Sequence, residues 1–118
     1  MDVVTGGRAI LSIGAGHPRT EAEQRSYGFG FPSIGERMSR LEEALEIMRA
    51  MFREEAPSWS GRHFEIDEAF NAPRPVQPGG PPILVAGSGE LRLLRLVAKY
   101  ADMCNLSAIW RQLGRLAA

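Results

Sequence analysis

The sequence predicts an α/β fold in which three parallel strands alternate with two helices. Residues 8–13, 83–86 and 103–107 form short apolar runs that are typical of strands. Two segments with helical periodicity, at 34–53 and 90–101, separate them. Helices of this length suit right-handed crossovers between parallel strands, so the order of elements predicts a βαβαβ unit.

The first predicted strand runs directly into Gly14-Ala15-Gly16. A Gly-x-Gly turn after a strand occurs in dinucleotide-binding folds, but that fingerprint needs a third glycine three residues later, and position 19 is Arg19. The same test fails at Gly87-x-Gly89, where position 92 is arginine. The sequence therefore disfavours an ordinary dinucleotide-binding protein.

The long helix at 34–53 has the clearest signals in the chain. Ser33 is a candidate N-cap with Glu36 three residues on, which is the spacing of a capping box. A broad apolar stripe along the helix predicts a core face, made of Met38, Leu41, Leu45, Met48 and Phe52. Two charged pairs, Glu36 with Arg40 and Glu46 with Arg49, are expected on the exposed side.

Residues 54–80 contain many prolines and glycines and no long periodic element. A loop of this length is either a functional excursion or contains a hidden hairpin. The alternation at 63–66 predicts a short edge strand, with His63 as a solvated side chain.

The second strand begins after Pro81 and Pro82 and ends in Gly87-Ser88-Gly89, directly before a helix. Free backbone N–H groups at a helix N-terminus, the helix dipole and the Ser88 hydroxyl together make a suitable anion site. One interpretation is therefore a phosphate-binding turn. The other is a tight turn in which Ser88 caps its own helix.

The second helix is predicted to bury most of its surface. Its expected core face is marked by Leu91, Leu94, Val97, Ala98 and Ala101, and widened by Leu93, Leu96 and Tyr100. In the third strand, Cys104 is expected to be a buried, small apolar side chain.

Composition narrows the class of protein. The chain has 118 residues, with 14 Lys and Arg against 14 Asp and Glu, which argues against nucleic acid or an anionic membrane as partner. No apolar run reaches the length of a membrane span, and the start lacks the features of a signal peptide. One cysteine and two distant histidines predict neither a disulfide nor a metal site. A cytoplasmic protein is expected.

Three loops that could bind a ligand follow the three strands, at 14–17, 87–89 and 105–107. The carboxyl ends of parallel strands lie on one side of a sheet, where ligands bind in barrels and in open sheets. These loops are therefore expected to converge.

The chain resembles the bacterial luciferase-like monooxygenase family, and within it the class that uses coenzyme F-420. The resemblance covers residues 1–107 and rests on the order and spacing of these motifs: Gly7-Arg8, Gly14-Ala15-Gly16, Tyr27-Gly28, Glu36-Arg37, Arg40-Leu41-Glu42-Glu43-Ala44-Leu45, Gly61-Arg62, Pro73-x-Pro75-x-Gln77, Pro82-Ile83, Gly87-x-Gly89, Leu94-Arg95-Leu96 and Tyr100-Ala101-Asp102-x-x-Asn105.

The resemblance implies a TIM-type (β/α) barrel with FMN or F-420, a deazaflavin, held at the C-terminal strand ends, and oxidoreductase or monooxygenase chemistry on a small organic substrate. It also implies that Gly87, Ser88 and Gly89 bind the cofactor phosphate. Ala15 and Gly16 would lie near the cofactor ring, and Asn105 would line the pocket. His17 stands where many relatives have Trp, so it is a proton donor, a polar wall of the cofactor pocket, or a loop imidazole without a chemical role. No catalytic residue is assigned.

A complete barrel takes about 250 residues, so the chain resembles an incomplete barrel of about three strands. Residues 108–118 are predicted to form a short helical tail outside the family pattern, and the chain is interpreted as a truncated product or fragment. Two functions stay open: part of an F-420- or FMN-dependent oxidoreductase, or a non-catalytic remnant that pairs its open sheet edges with another copy. At 118 residues, the chain is expected to be too short to be active alone.

Overall fold

A three-stranded parallel sheet with helices packed on one face forms the centre of the molecule. The computed structural model describes residues 1–87 and 91–106. The sheet order is β1 (Leu11–Ile13), β4 (Ile83–Gly87) and β5 (Met103–Leu106), with β4 in the middle. The connecting elements, in chain order, are α1 (Glu21–Ser26), α2 (Ile34–Arg53), β2 (Trp59–Ser60), β3 (Glu65–Ile66) and α3 (Arg92–Tyr100). The predicted parallel α/β arrangement is confirmed.

Strand β4 is central because both of its neighbours pair with it and its helix-facing side chains are enclosed. Ile83 and Val85 are 2% and 0% exposed, and they pack with Leu41 and Leu45 of α2. Strand β1 is shorter than the predicted 8–13. The residues before Leu11 are not part of the strand. Instead, the Ala9 carbonyl accepts a hydrogen bond from the Gln77 side chain at 3.0 Å.

Helix α2 begins as predicted, because the Ser33 hydroxyl accepts a hydrogen bond from the Glu36 N–H at 3.3 Å. The Glu36 carboxylate does not complete a capping box but pairs with Arg40 at 2.7 Å, as expected. The predicted surface pair of Glu46 and Arg49 is wrong. Both side chains contact Tyr100: Arg49 donates to its carbonyl oxygen, and Glu46 accepts from its hydroxyl.

Helix α3 buries Leu93, Leu96 and Tyr100, whereas the face predicted through Leu91 and Ala98 is wrong. Leu91 is 80% exposed. Apolar residues occupy every side of this helix except the one that carries Arg92, Arg95 and Lys99, so the pattern could not show which part of this wide apolar surface is buried. Leu93, Leu96 and Tyr100 are buried because α2 and β4 pack against only this side of the helix.

All four residues of strand β5 are exposed, including Cys104, so its predicted burial is wrong. Cys104 lies beside Val85 in the sheet, but within residues 1–87 and 91–106 no helix covers this end of it. An apolar strand sequence here does not produce a buried strand because β5 is an edge.

The segment between α2 and β4 contains a hidden hairpin formed by β2 and β3. The Glu43 carboxylate of α2 anchors its loop by accepting hydrogen bonds from the N–H groups of Arg62, His63 and Phe64, at 2.9–3.1 Å. His63 is half-buried rather than solvated as predicted, because its loop is held against α2.

The N-terminal residues form a single helical turn that ends at Gly6 and Gly7, both with positive φ. Asp2 is 5% exposed, and its carboxylate accepts hydrogen bonds from the Val76 N–H, the Gln77 N–H and the Gln77 side chain, at 2.8–2.9 Å. The Gln77 N–H contributes most to holding the pKa of Asp2 below its ordinary value. The carboxylate thus fixes the start of the chain against the segment that leads into β4.

Candidate functional site

A cavity of about 740 Å³ opens at the C-terminal ends of β1 and β4. Its volume falls within the range of small-molecule sites. The loop after β1, helix α2, the end of β4 and the start of α3 supply its walls, which consist of Gly14, Ala15, Gly16, His17, Pro18, Ile34, Met38, Ala86, Gly87, Arg92 and Leu93. Two of the three loops expected to converge therefore contribute to one cavity.

A smaller cavity of about 320 Å³ lies at the opposite end, between the N-terminal turn, the second half of α2 and the segment before β4. It borders the N-terminal ends of the strands, such as Leu11, where parallel α/β barrels place stabilising contacts rather than ligands. The larger cavity is therefore the better candidate.

The backbones of β1 and β4 approach closely at the cavity. A Cβ added to Gly14 would lie 2.8 Å from the Ala86 carbonyl oxygen, so a side chain there would push the strand ends apart. Gly16 has φ of +78°, a conformation that glycine adopts without strain. The Gly14-Ala15-Gly16 turn is thus required by the geometry of the cavity rim.

Arg37 holds this turn from the side of α2. Its Nη1 atom donates to the carbonyl oxygens of Ala15 and Gly16 at 3.0 and 2.8 Å, and its Nε atom donates to Pro32 at 3.1 Å. The guanidinium also lies 4.0 Å from the centroid of the Phe31 ring. The sequence included Arg37 in a motif but did not assign it to the site.

His17 is exposed at the cavity rim and begins a short 3-10 turn at Pro18–Thr20. Its Nδ1 atom accepts a hydrogen bond from the Arg19 N–H at 3.1 Å. Because Nδ1 is an acceptor here, the neutral imidazole carries its proton on Nε2. The side chain can therefore donate one hydrogen bond through Nε2.

Of the predicted phosphate turn, only Gly87 is described, and Ser88 and Gly89 lie outside the described residues. Gly87 lines the cavity, and a Cβ there would lie 2.6 Å from Leu93 Cδ2. Arg92, the first residue of α3, also lines the cavity. Its guanidinium brings a positive charge to the start of this helix, and the sequence did not assign it to the site.

Asn105 is not among the residues that line the cavity. It is exposed on β5 and pairs with Ala86, so it lies one strand further along the sheet, level with the cavity. Within the described ranges 1–87 and 91–106, no three His, Cys, Asp or Glu side chains are grouped to hold a metal ion, and no helix is long and apolar enough to cross a membrane.

A family model described as luciferase-like monooxygenase matches residues 1–117. The chain belongs to this family. Membership confirms the resemblance seen in the sequence, and the matched range includes residues 108–117, where no motif of the family was found.

Among curated relatives of this luciferase-like chain are F-420-dependent glucose-6-phosphate dehydrogenases from Intrasporangium calvum and Kineococcus radiotolerans. They are 36% and 37% identical over 95 residues, and each match covers 80% of this chain. The same matches cover 26% and 25% of the relatives. The chain thus spans about a quarter of their length.

Two solved structures share the fold. An F-420-dependent secondary alcohol dehydrogenase in complex with an F-420–acetone adduct matches with a TM-score of 0.71 and 25% identity, over 86% of this chain and 29% of that one. A monooxygenase from Streptomyces bottropensis matches with a TM-score of 0.59 and 28% identity, over 72% and 24%. The three strands are therefore a segment of a luciferase-like barrel, as predicted.

Proposed function

We propose that this chain carries part of the cofactor site of a luciferase-like oxidoreductase, and that the 740 Å³ cavity receives F-420 or FMN. The observation that carries the proposal is the position of the cavity, at the C-terminal ends of two parallel strands and beside the start of α3. Two relatives and one structural neighbour are F-420-dependent dehydrogenases, which supports the deazaflavin F-420 over FMN as the ligand.

The residues at the cavity fit such a cofactor. Ile34, Met38 and Leu93 provide apolar walls suited to a flat ring. Gly14 and Gly87 leave room where side chains would close the gap between the strand ends. Arg92 supplies a positive charge suited to a phosphate.

In this proposal, the backbone N–H groups of Gly87, Ser88 and Gly89 bind the cofactor phosphate, while Ala15 and Gly16 lie beside the ring. Asn105, on the next strand and outside the wall of the 740 Å³ cavity, would contact a part of the ligand that extends beyond this cavity, and His17 offers its Nε2 proton to a ligand oxygen at the rim. A bound cofactor would supply the hydride or oxygen chemistry on a small organic substrate. The protein's own contribution is binding and orientation.

The test is a fluorescence titration of the folded chain with F-420, FMN and riboflavin. FMN and riboflavin differ only in the phosphate, so their comparison isolates the phosphate contribution. An Arg92→Met variant is expected to weaken FMN binding up to about fivefold at low salt, because Arg92 is half-exposed and its charge is screened. Riboflavin binding should not change, and Arg95→Met, on the same helix, should change neither.

Equal weakening of FMN and riboflavin in Arg92→Met would contradict phosphate binding at this turn. Failure of all three ligands to bind a chain with the expected helical circular dichroism would refute the proposal as a whole. That result would favour the alternative, a non-catalytic remnant.

A further inference from the structure

Arg37 makes an unusual set of contacts for a helix-surface arginine. One nitrogen, Nη1, binds two successive carbonyl oxygens, those of Ala15 and Gly16. A third carbonyl, that of Pro32, and the Phe31 ring fix the guanidinium from the other side. The orientation of the turn after β1 is therefore set by a side chain of α2.

These contacts determine where the neighbouring N–H groups point. In a trans peptide, the C=O of one residue and the N–H of the next are antiparallel. Because the carbonyls of Ala15 and Gly16 face Arg37, the N–H groups of Gly16 and His17 face away from it. Neither of these N–H groups donates to an acceptor within residues 1–87 and 91–106.

The turn separates two cavities. One, of about 340 Å³, includes Arg37 and Gln24 in its lining, and a Cβ at Gly16 would point toward these two side chains. The other is the 740 Å³ cavity, which includes His17 but not Arg37. Gly14, Ala15 and Gly16 line both cavities, whereas His17 lines only the larger one.

We propose that Arg37 is a positioning residue that directs the Gly16 and His17 N–H groups into the 740 Å³ cavity as a pair of hydrogen-bond donors. A cation on the two carbonyls also polarises the same peptide groups, which strengthens their N–H groups as donors. The pair suits a ligand with carbonyl oxygens on one edge of a flat ring. This assignment rests on the proposed function, in which the ligand is a flavin or deazaflavin.

Riboflavin is the probe for the test, because it has the ring carbonyls but no phosphate, which removes the phosphate turn from the measurement. Arg37→Met removes the guanidinium, and Arg37→Lys keeps a charge but not the fork of donors. Arg40→Met is the matched control. Arg40 lies one turn along α2 and also borders the 340 Å³ cavity, but its side chain pairs with Glu36. Amide resonances are followed by NMR, with and without riboflavin.

In the ligand-free chain, Arg37→Met is expected to move the amide nitrogen resonances of Gly16 and His17, because each follows a carbonyl that the guanidinium binds. In the wild-type chain, riboflavin should shift the same two amide protons. Arg37→Met should weaken riboflavin about tenfold, which corresponds to the loss of one to two ordinary hydrogen bonds. Arg37→Lys should be intermediate, and Arg40→Met should match the wild type.

Three results would overturn the assignment. The first is riboflavin binding that leaves the Gly16 and His17 amides unmoved, and the second is equal loss of affinity in Arg40→Met and Arg37→Met. The third is an Arg37→Met variant with unchanged resonances in the ligand-free chain. If riboflavin does not bind but F-420 and FMN do, the assignment of the Gly16 and His17 N–H groups as ligand donors is wrong, while the proposed function stands. If none of them binds, both fail.

Discussion

Replacing Leu96 by alanine is expected to destabilise the fold strongly, whereas the same change at Leu91 is not. Leu96 is 4% exposed in the core between α2, α3 and the sheet, and Leu91 is 80% exposed at the start of the same helix. Loss of a buried leucine costs about 2–5 kcal/mol, and exposed substitutions typically change stability by less than about 0.5 kcal/mol. A domain of this size has a total unfolding free energy of about 5–15 kcal/mol, so the loss is a large share.

Urea unfolding followed by circular dichroism measures the difference. With a slope of about 2 kcal/mol per molar urea, Leu96→Ala is expected to lower the midpoint by about 1–2.5 M. Leu91→Ala should lie within error of the wild type. Equal shifts for both variants, or a larger shift for Leu91→Ala, would refute the burial of the helix face that contains Leu96. Such a result would favour the predicted face that contains Leu91.

Three further predictions concern other contacts. The pKa of the Asp2 carboxyl is lowered in the fold, so its contribution to stability is present above its ordinary pKa of 3.8 and is lost as pH falls below that value. The urea midpoint of wild type should therefore exceed that of Asp2→Asn at pH 7, and this gap should narrow near pH 3; a constant gap would contradict the linkage. Glu43→Gln, which loses an acceptor oxygen for the loop after β2, is expected to speed amide exchange at 62–64, while Glu42→Gln should leave it unchanged. If the exposed β5 edge pairs with a second copy, Cys104→Lys should lower the mass measured by light scattering at high concentration, and unchanged mass would argue against that interface.

The sequence predicted the elements with local signals well. Ser33 marks the start of α2 because an N-cap acts within three residues. Gly14 and Gly87 mark the ends of the first two strands because the backbone there lacks room for a side chain. These features depend on short-range chemistry that a single sequence contains.

The wrong or missing predictions concern contacts with residues that are distant in the sequence. Glu46 and Arg49 have the spacing of a surface ion pair, but Tyr100 lies against both in the fold. Cys104 has the surroundings of a buried strand residue, yet it lies on an uncovered edge. Arg37 could not be assigned to the site from its spacing, because its partners at 15 and 16 belong to another element.

The pairing of β1 with β4 has a consequence for the timing of folding. Leu11 pairs with Ile83, so the paired residues are 72 positions apart in the chain. At about 5–20 residues per second, a ribosome needs on the order of 4–14 s to make that segment, and β4 cannot pair with β1 during this time. Helix α2, whose hydrogen bonds are local, can form within microseconds once it emerges. The β1–β4 pairing therefore cannot form during synthesis until the whole segment between the two strands, α2 included, has been made.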